Sequence, residues 1–288
     1  MTDNEFAQLC DKSFFQIYAK AKETSEVQFL TSCFAFYKQF NHDIMSYITD
    51  YEFHETLDLI NQFKRLQDDR IYPKQSFVVN FLMFMMKLLF RIKSIDEVDI
   101  KIKTRVRLLL YCHIIEVEII YMILFNMLRT IKGEQYAPTI TFKSKKKCKN
   151  RGVIEAEYPS QKIEQIEKES QAIGIPLQPL YSEFYFSHLR NAFSHSQYFL
   201  DQDGGFNLSK NLSPATSAVY KKATKKNYFK AEEIQAIFNK TILYVESFIR
   251  NHMQFLKRYA DGGHYQTNFG RIYYSQQYGW GFVQNQKQ

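Results

Sequence analysis

Leu189-Arg190-Asn191-Ala192-Phe193-Ser194-His195 is the stretch on which the reading of this chain turns, because it gathers a permanently charged fork, an amide, a hydroxyl and an imidazole in a short run. Working outward from it, residues 182–195 sort into two arcs when wound at 3.6 residues per turn. Tyr185, Phe186, Leu189, Ala192 and Phe193 fall on one arc. Glu183, Ser187, His188, Arg190, Asn191, Ser194 and His195 fall on the other, with Phe184 as the apolar intruder. The pattern predicts an amphipathic helix that buries the first arc and offers the second. On a regular helix Arg190 and His195 lie about 140° apart around the axis and about 7.5 Å apart along it. Two groups so placed do not grip one atom. Either the helix breaks near Ser194, or a second copy of the chain completes the site across a twofold axis.

The residue types suit phosphate chemistry. Arg190 offers a planar fork that holds a phosphate bidentately and steadies charge developing on it. His195 belongs to the residue type that titrates near neutrality and moves protons. Asn191 donates to a phosphate or orients the imidazole. Arg-Asn-x-x-x-His, here Arg190, Asn191 and His195, resembles the signature of the HEPN superfamily of helical-bundle domains, which includes metal-independent endoribonucleases of toxin, phage-defence and CRISPR systems. The resemblance implies an all-α HEPN-like bundle acting as a homodimer with a composite ribonuclease site, and a toxin or antiviral effector restrained by an antitoxin or activator protein. It implies RNA as substrate, attack by the 2′-OH, and 2′,3′-cyclic phosphate ends. Glu183, His188 and Ser194 share the polar arc and are supporting candidates. The alternative is a non-catalytic HEPN module that binds RNA, nucleotide or a partner protein with the same face. In one subgroup of these toxins a Tyr two residues after the His is modified with AMP. This chain has Gln197 there and Tyr198 one later, which departs from that mode of control.

With 288 residues, 45% of them hydrophobic and 24% charged, the chain is long and apolar enough to bury a full core, and is expected to be globular. A net charge of +8 favours polyanionic partners. Cys10, Cys33, Cys112 and Cys148 are scattered without zinc-ligand spacing, so no metal or cofactor is expected and the thiols read as reduced and cytoplasmic. His54-Glu55 lacks the second His of a metalloprotease helix, since position 58 is Asp. The N-terminus is acidic where a signal peptide is basic. The most apolar stretch, residues 77–90, is too short for a bilayer, so no membrane is expected.

In order along the chain, residues 1–70 read as an N-terminal helical region, 71–260 as the HEPN-like bundle and 261–288 as a Gly/Tyr/Gln-rich tail. Two very apolar helices are expected over residues 76–93 and 99–130. Within the second, Arg107 and His113 flank an apolar run and read as structural. Glu116 and Glu118 point to different faces, one expected to be solvated and one paired with a base such as Arg105 or Lys103. Residues 139–142 suggest a short strand. Lys143, Lys145, Lys146, Lys147 and Lys149 follow, and Lys221, Lys222, Lys225 and Lys226 form a second basic cluster. Each reads as a solvated loop or as a rim that tracks an RNA backbone. A short helix over 164–173 ends at Gly174. A hairpin with a Gly204-Gly205 turn follows the motif, and a long helix over 230–259 carries Ile234, Phe238, Ile242, Val245, Phe248, Ile249 and Leu256 as its apolar stripe. The tail is readable as a hairpin on the bundle, a base-stacking surface or a flexible end.

Overall fold

A computed structural model of the chain describes residues 1–34, 100–143, 153–208, 228–260, 264–266, 270–275 and 279–284. The expected helix over 76–93 lies outside them. So do Lys145, Lys146, Lys147, Lys149, Lys221, Lys222, Lys225 and Lys226.

The described residues are mostly helical, with small antiparallel sheets. Helix α1 (Asp3–Thr24) begins at a capping box in which Glu5 N donates to the Thr2 hydroxyl and Thr2 N to the Glu5 carboxylate. It is followed by α2 (Glu26–Phe34), α3 (Ile100–Ile115), α4 (Glu118–Ile131) and a hairpin of β1 (Thr141–Lys143) with β2 (Val153–Glu155). Next come α5 (Pro159–Ala172), α6 (Gln178–Phe184), α7 (Ser187–Ser194), β3 (Tyr198–Leu200), β4 (Phe206–Leu208), β5 (Tyr228–Phe229) and α8 (Ala231–Ala260). The strands β6 (His264–Gln266), β7 (Gly270–Ser275) and β8 (Gly279–Gln284) close the chain.

The longest helix, α8, organises the core because its apolar residues recur at helical spacing. Ile234, Phe238, Val245 and Phe248 are buried as the stripe predicts, joined by Ile237, Tyr244 and Phe255. Helix α1 packs along it through edge-on aromatic contacts, Phe14 to Tyr244 at 5.3 Å and Phe14 to Phe248 at 5.8 Å. On its other sides α1 meets α2 and α4, and α3 packs on α8 while carrying α7. Phe6, Phe14, Tyr18 and Phe29 of the N-terminal region thus share one continuous core with Leu108, Leu124 and Phe248.

The run Ile100–Ile131 is long and apolar enough in composition to cross a bilayer, yet its most apolar window is mostly buried in this core. It is also two helices where the sequence predicts one. After Ile115 the backbone tightens, Glu116 N donating to His113 O and Val117 N to Ile114 O, and the buried Tyr121 hydroxyl takes the Ile115 carbonyl at 2.6 Å. Those bonds satisfy the end of α3, so it stops there. Beyond α4, the Asn126 amide stitches down the following loop by donating to Ala137 O and accepting from Ala137 N.

The motif segment is likewise broken. Tyr185 and Phe186 hold extended dihedrals between α6 and α7, and the amide of Phe186 donates to the buried Tyr111 hydroxyl at 3.0 Å. The break explains Phe184: as the end of α6 it is buried against Tyr244 and Phe6, so it is no intruder on a polar face. The hairpin after the motif forms as expected, with Tyr198 facing Leu208 and Leu200 facing Phe206, and β5 adds a third strand. Gly205 sits so close to Tyr228 that a Cβ would lie 2.3 Å from its hydroxyl. The 164–173 helix starts earlier, at Pro159, and closes at Gly174 with φ 76°. The tail is a three-stranded antiparallel sheet beside α8, Trp280 lying opposite Tyr274.

Candidate functional site

Three elements meet at Arg190. Helix α7 presents its side chain toward the loop that ends α3, where Glu116 waits. Arg190 Nε donates to Glu116 Oε1 at 2.9 Å, Nη2 donates to the same oxygen, and Nη1 donates to Asn191 Oδ1 at 2.9 Å. A guanidinium has five N–H donors. Glu116 engages two and Asn191 one, which leaves two for a ligand. The Arg190 side chain is 18% exposed and that of Glu116 41%, so the pair is half in solvent and aligns the fork more than it stabilises the fold.

The pairing corrects the sequence reading of the two glutamates. Both stay partly exposed yet both are ion-paired, and with neither Arg105 nor Lys103. Glu116 turns to Arg190, and Glu118 to the buried Lys162 of α5 at 2.6 Å. The turn between α3 and α4 sends them to different partners, as their expected divergence requires.

Below the ion pair, α3 anchors the motif helix. The Cys112 thiol approaches Arg190 O at 3.9 Å, and burial pushes its pKa up to about 12, so it stays a neutral donor. Ser194, the last residue of α7, is exposed. Tyr185 lies within reach of both Arg190 and Glu116. Burial raises its pKa, which Ser160 and Arg190 partly oppose. Tyr185 therefore remains a neutral phenol beside the pair.

Helix α7 ends one residue before His195. Ser196 N donates to Phe193 O and Gln197 N to Ala192 O, the two bonds of a Schellman cap, with Ser196 in the left-handed region at φ 53°. His195 itself keeps near-helical dihedrals, φ −98° and ψ 10°, and its side chain is exposed. The helix therefore ends at Ser194, where the sequence reading allowed a break, and His195 caps it with a backbone that still follows the helical path from Arg190.

Glu183 and His188 stand elsewhere. Glu183 of α6 pairs with Lys240 of α8. His188 is buried between Phe229, stacked at 5.4 Å, and Phe186, edge-on at 5.9 Å. Arg107 and His113 lie on α3 outside this cluster. Lys143 ends β1. Glu116 and Tyr185 are the residues that the sequence reading missed as site components. The available signal was a carboxylate inside a long apolar run, a position that calls for a partner. Among the described residues no group of His, Cys, Asp and Glu has metal-binding geometry. Set against protein-family models, curated proteins and solved structures, the chain matches none.

Proposed function

We propose that the protein is a HEPN-type, metal-independent endoribonuclease that works as a homodimer, in the role of a toxin or defence effector. The observation that carries the reading is the placement of the motif: Arg190 held by Glu116 and Asn191 with two donors to spare, and His195 exposed at the C-terminus of the same short helix. Within one chain the two remain on different sides of α7, so a second copy supplies the complementary half. In the joint cleft a neutral His195 takes the proton of a ribose 2′-OH. The O2′–P bond forms, the P–O5′ bond breaks, and the imidazolium of the other copy protonates the leaving oxygen. The free Arg190 donors face the nonbridging oxygens, where charge builds. The products end in 2′,3′-cyclic phosphate and 5′-OH.

The occupied fork of Arg190 favours a second reading, a non-catalytic module in which the Arg190–Glu116 pair is structural and the exposed face of α7 binds RNA, nucleotide or a partner protein. One experiment separates the two. Wild type and His195→Ala are incubated with end-labelled RNA in excess EDTA and the termini analysed. Cleavage to cyclic phosphate by wild type alone establishes the nuclease. RNA bound but intact in both establishes the module.

A further inference from the structure

Tyr185 also lines a cleft of about 550 Å³ between α6, the start of α7, β5 and α8. That is the size of a small-ligand pocket. His188 and Phe229, stacked on each other with an interplanar angle of 30°, are buried at its edge, and the half-buried Tyr185 and Phe186 form its open aromatic lining. Glu183 and Lys240 also line it, ion-paired and mostly shielded from solvent, their side chains 26% and 12% exposed. Glu233 adds a second carboxylate, one of whose oxygens accepts from Lys230 N. With two carboxylates and one ammonium, the lining disfavours a phosphate and favours a flat ligand rich in donors.

We propose that this cleft holds an unpaired guanine, with Glu183 and Lys240 reading its Watson–Crick edge; the guanine's origin in an RNA strand rests on the ribonuclease reading above. Guanine presents two adjacent donors, N1–H and N2–H, beside an acceptor, O6. One carboxylate accepts both donors in parallel, and the neighbouring ammonium gives a hydrogen bond to O6. Adenine and cytosine offer one donor group on that edge, and uracil offers one donor between two acceptors, so none matches a carboxylate followed by an ammonium. The half-buried rings of Tyr185 and Phe186 supply stacking to any base, so selectivity falls to the ion pair. The position fits a nucleotide whose phosphate meets Arg190, because Tyr185 lines the cleft and is close enough to Arg190 to feel its charge, and Phe186, also lining it, starts the turn of α7 that carries Arg190.

The test is calorimetric titration of the full chain with GMP, IMP, AMP, CMP and UMP. GMP is expected to bind at least about tenfold more tightly than IMP, which lacks the 2-amino donor, and than the other three, since one hydrogen bond to a charged group carries about that factor. The double variant Glu183→Gln with Lys240→Met, which leaves neither charge buried alone, loses the preference, and His195→Ala keeps it. Equal binding of GMP and IMP, absence of binding, or an unchanged preference in a folded double variant overturns the proposal. The GMP and IMP comparison on wild type decides the matter even where the double variant fails to fold. Failure of RNA cleavage with GMP selectivity intact removes the nuclease and leaves the pocket. Cleavage without selectivity does the reverse.

Discussion

Acidification destabilises this fold through His252, by an amount the packing allows to be worked out. The half-buried imidazole is stacked on Phe248 at 5.8 Å and meets the Tyr18 hydroxyl through Nδ1 at 2.9 Å, with no carboxylate among the described residues beside it to favour its charged form. Burial lowers its pKa from 6.5 to about 4. Between those values the unfolded chain binds a proton that the folded protein refuses. The stability contributed by the neutral ring is therefore complete above about pH 6.5, declines as the pH falls, and levels off below about 4. The loss is roughly 2 kcal/mol at about pH 5 and roughly 3 kcal/mol at the acid limit. Urea unfolding of wild type and His252→Gln at about pH 7.5 and about pH 5 isolates this residue, because Gln keeps an acceptor for Tyr18 but does not titrate, and every other group titrates alike in both proteins. Wild type is expected to lose about 2 kcal/mol more than the variant over that interval. Equal losses, within about 0.5 kcal/mol, refute the assignment of a neutral, half-buried His252.

His195→Ala leaves the thermal midpoint unchanged, since the side chain is exposed, while cleavage of end-labelled RNA falls by at least about a hundredfold; a drop in both reveals a structural histidine. Ser196→Gly stabilises the protein by about 0.5–1 kcal/mol in urea titration, because Ser196 sits at φ 53° in a cap that favours glycine; destabilisation shows that the cap is not formed in solution. Tyr111→Phe strips the Phe186 amide of its acceptor and costs about 1–3 kcal/mol by the same assay, and a neutral result means that the joint between α6 and α7 is held by other bonds.

The helical core was legible from periodicity, and most clearly in α8, where Ile234, Phe238, Val245 and Phe248 follow the predicted stripe. The hairpin after the motif was legible from its turn, because Gly204 at φ 73° and Gly205 against Tyr228 are positions where a side chain does not fit. What escaped were the two breaks, at Glu116-Val117 and Tyr185-Phe186. Both interrupt runs whose apolar spacing continues without Gly or Pro, and both are held by tertiary hydrogen bonds to tyrosines, Tyr121 and Tyr111, which periodicity does not register. The candidate site was half legible for the same reason. Arg190, Asn191 and His195 are neighbours in sequence, but the partner of Arg190 comes from a loop 74 residues earlier, and only the fold brings it there.

That long-range partner bears on both functional readings. A structural ion pair on a surface gains little from its charge, and here the carboxylate is exposed enough for water to compete with it. Packing α7 onto α3 is already secured by the buried Leu189 and Ala192 and by the Cys112 thiol under the Arg190 carbonyl. Glu116 is therefore not needed to hold the helix in place. What it does alter is the rotational freedom of the guanidinium: with Nε and Nη2 fixed on Glu116 and Nη1 on Asn191, the plane of the fork is set before any ligand arrives. A preset fork lowers the ordering cost of meeting a phosphate, a benefit that the nuclease reading and an RNA- or nucleotide-binding module share, so the rate of RNA cleavage by His195→Ala, not the ion pair, separates them.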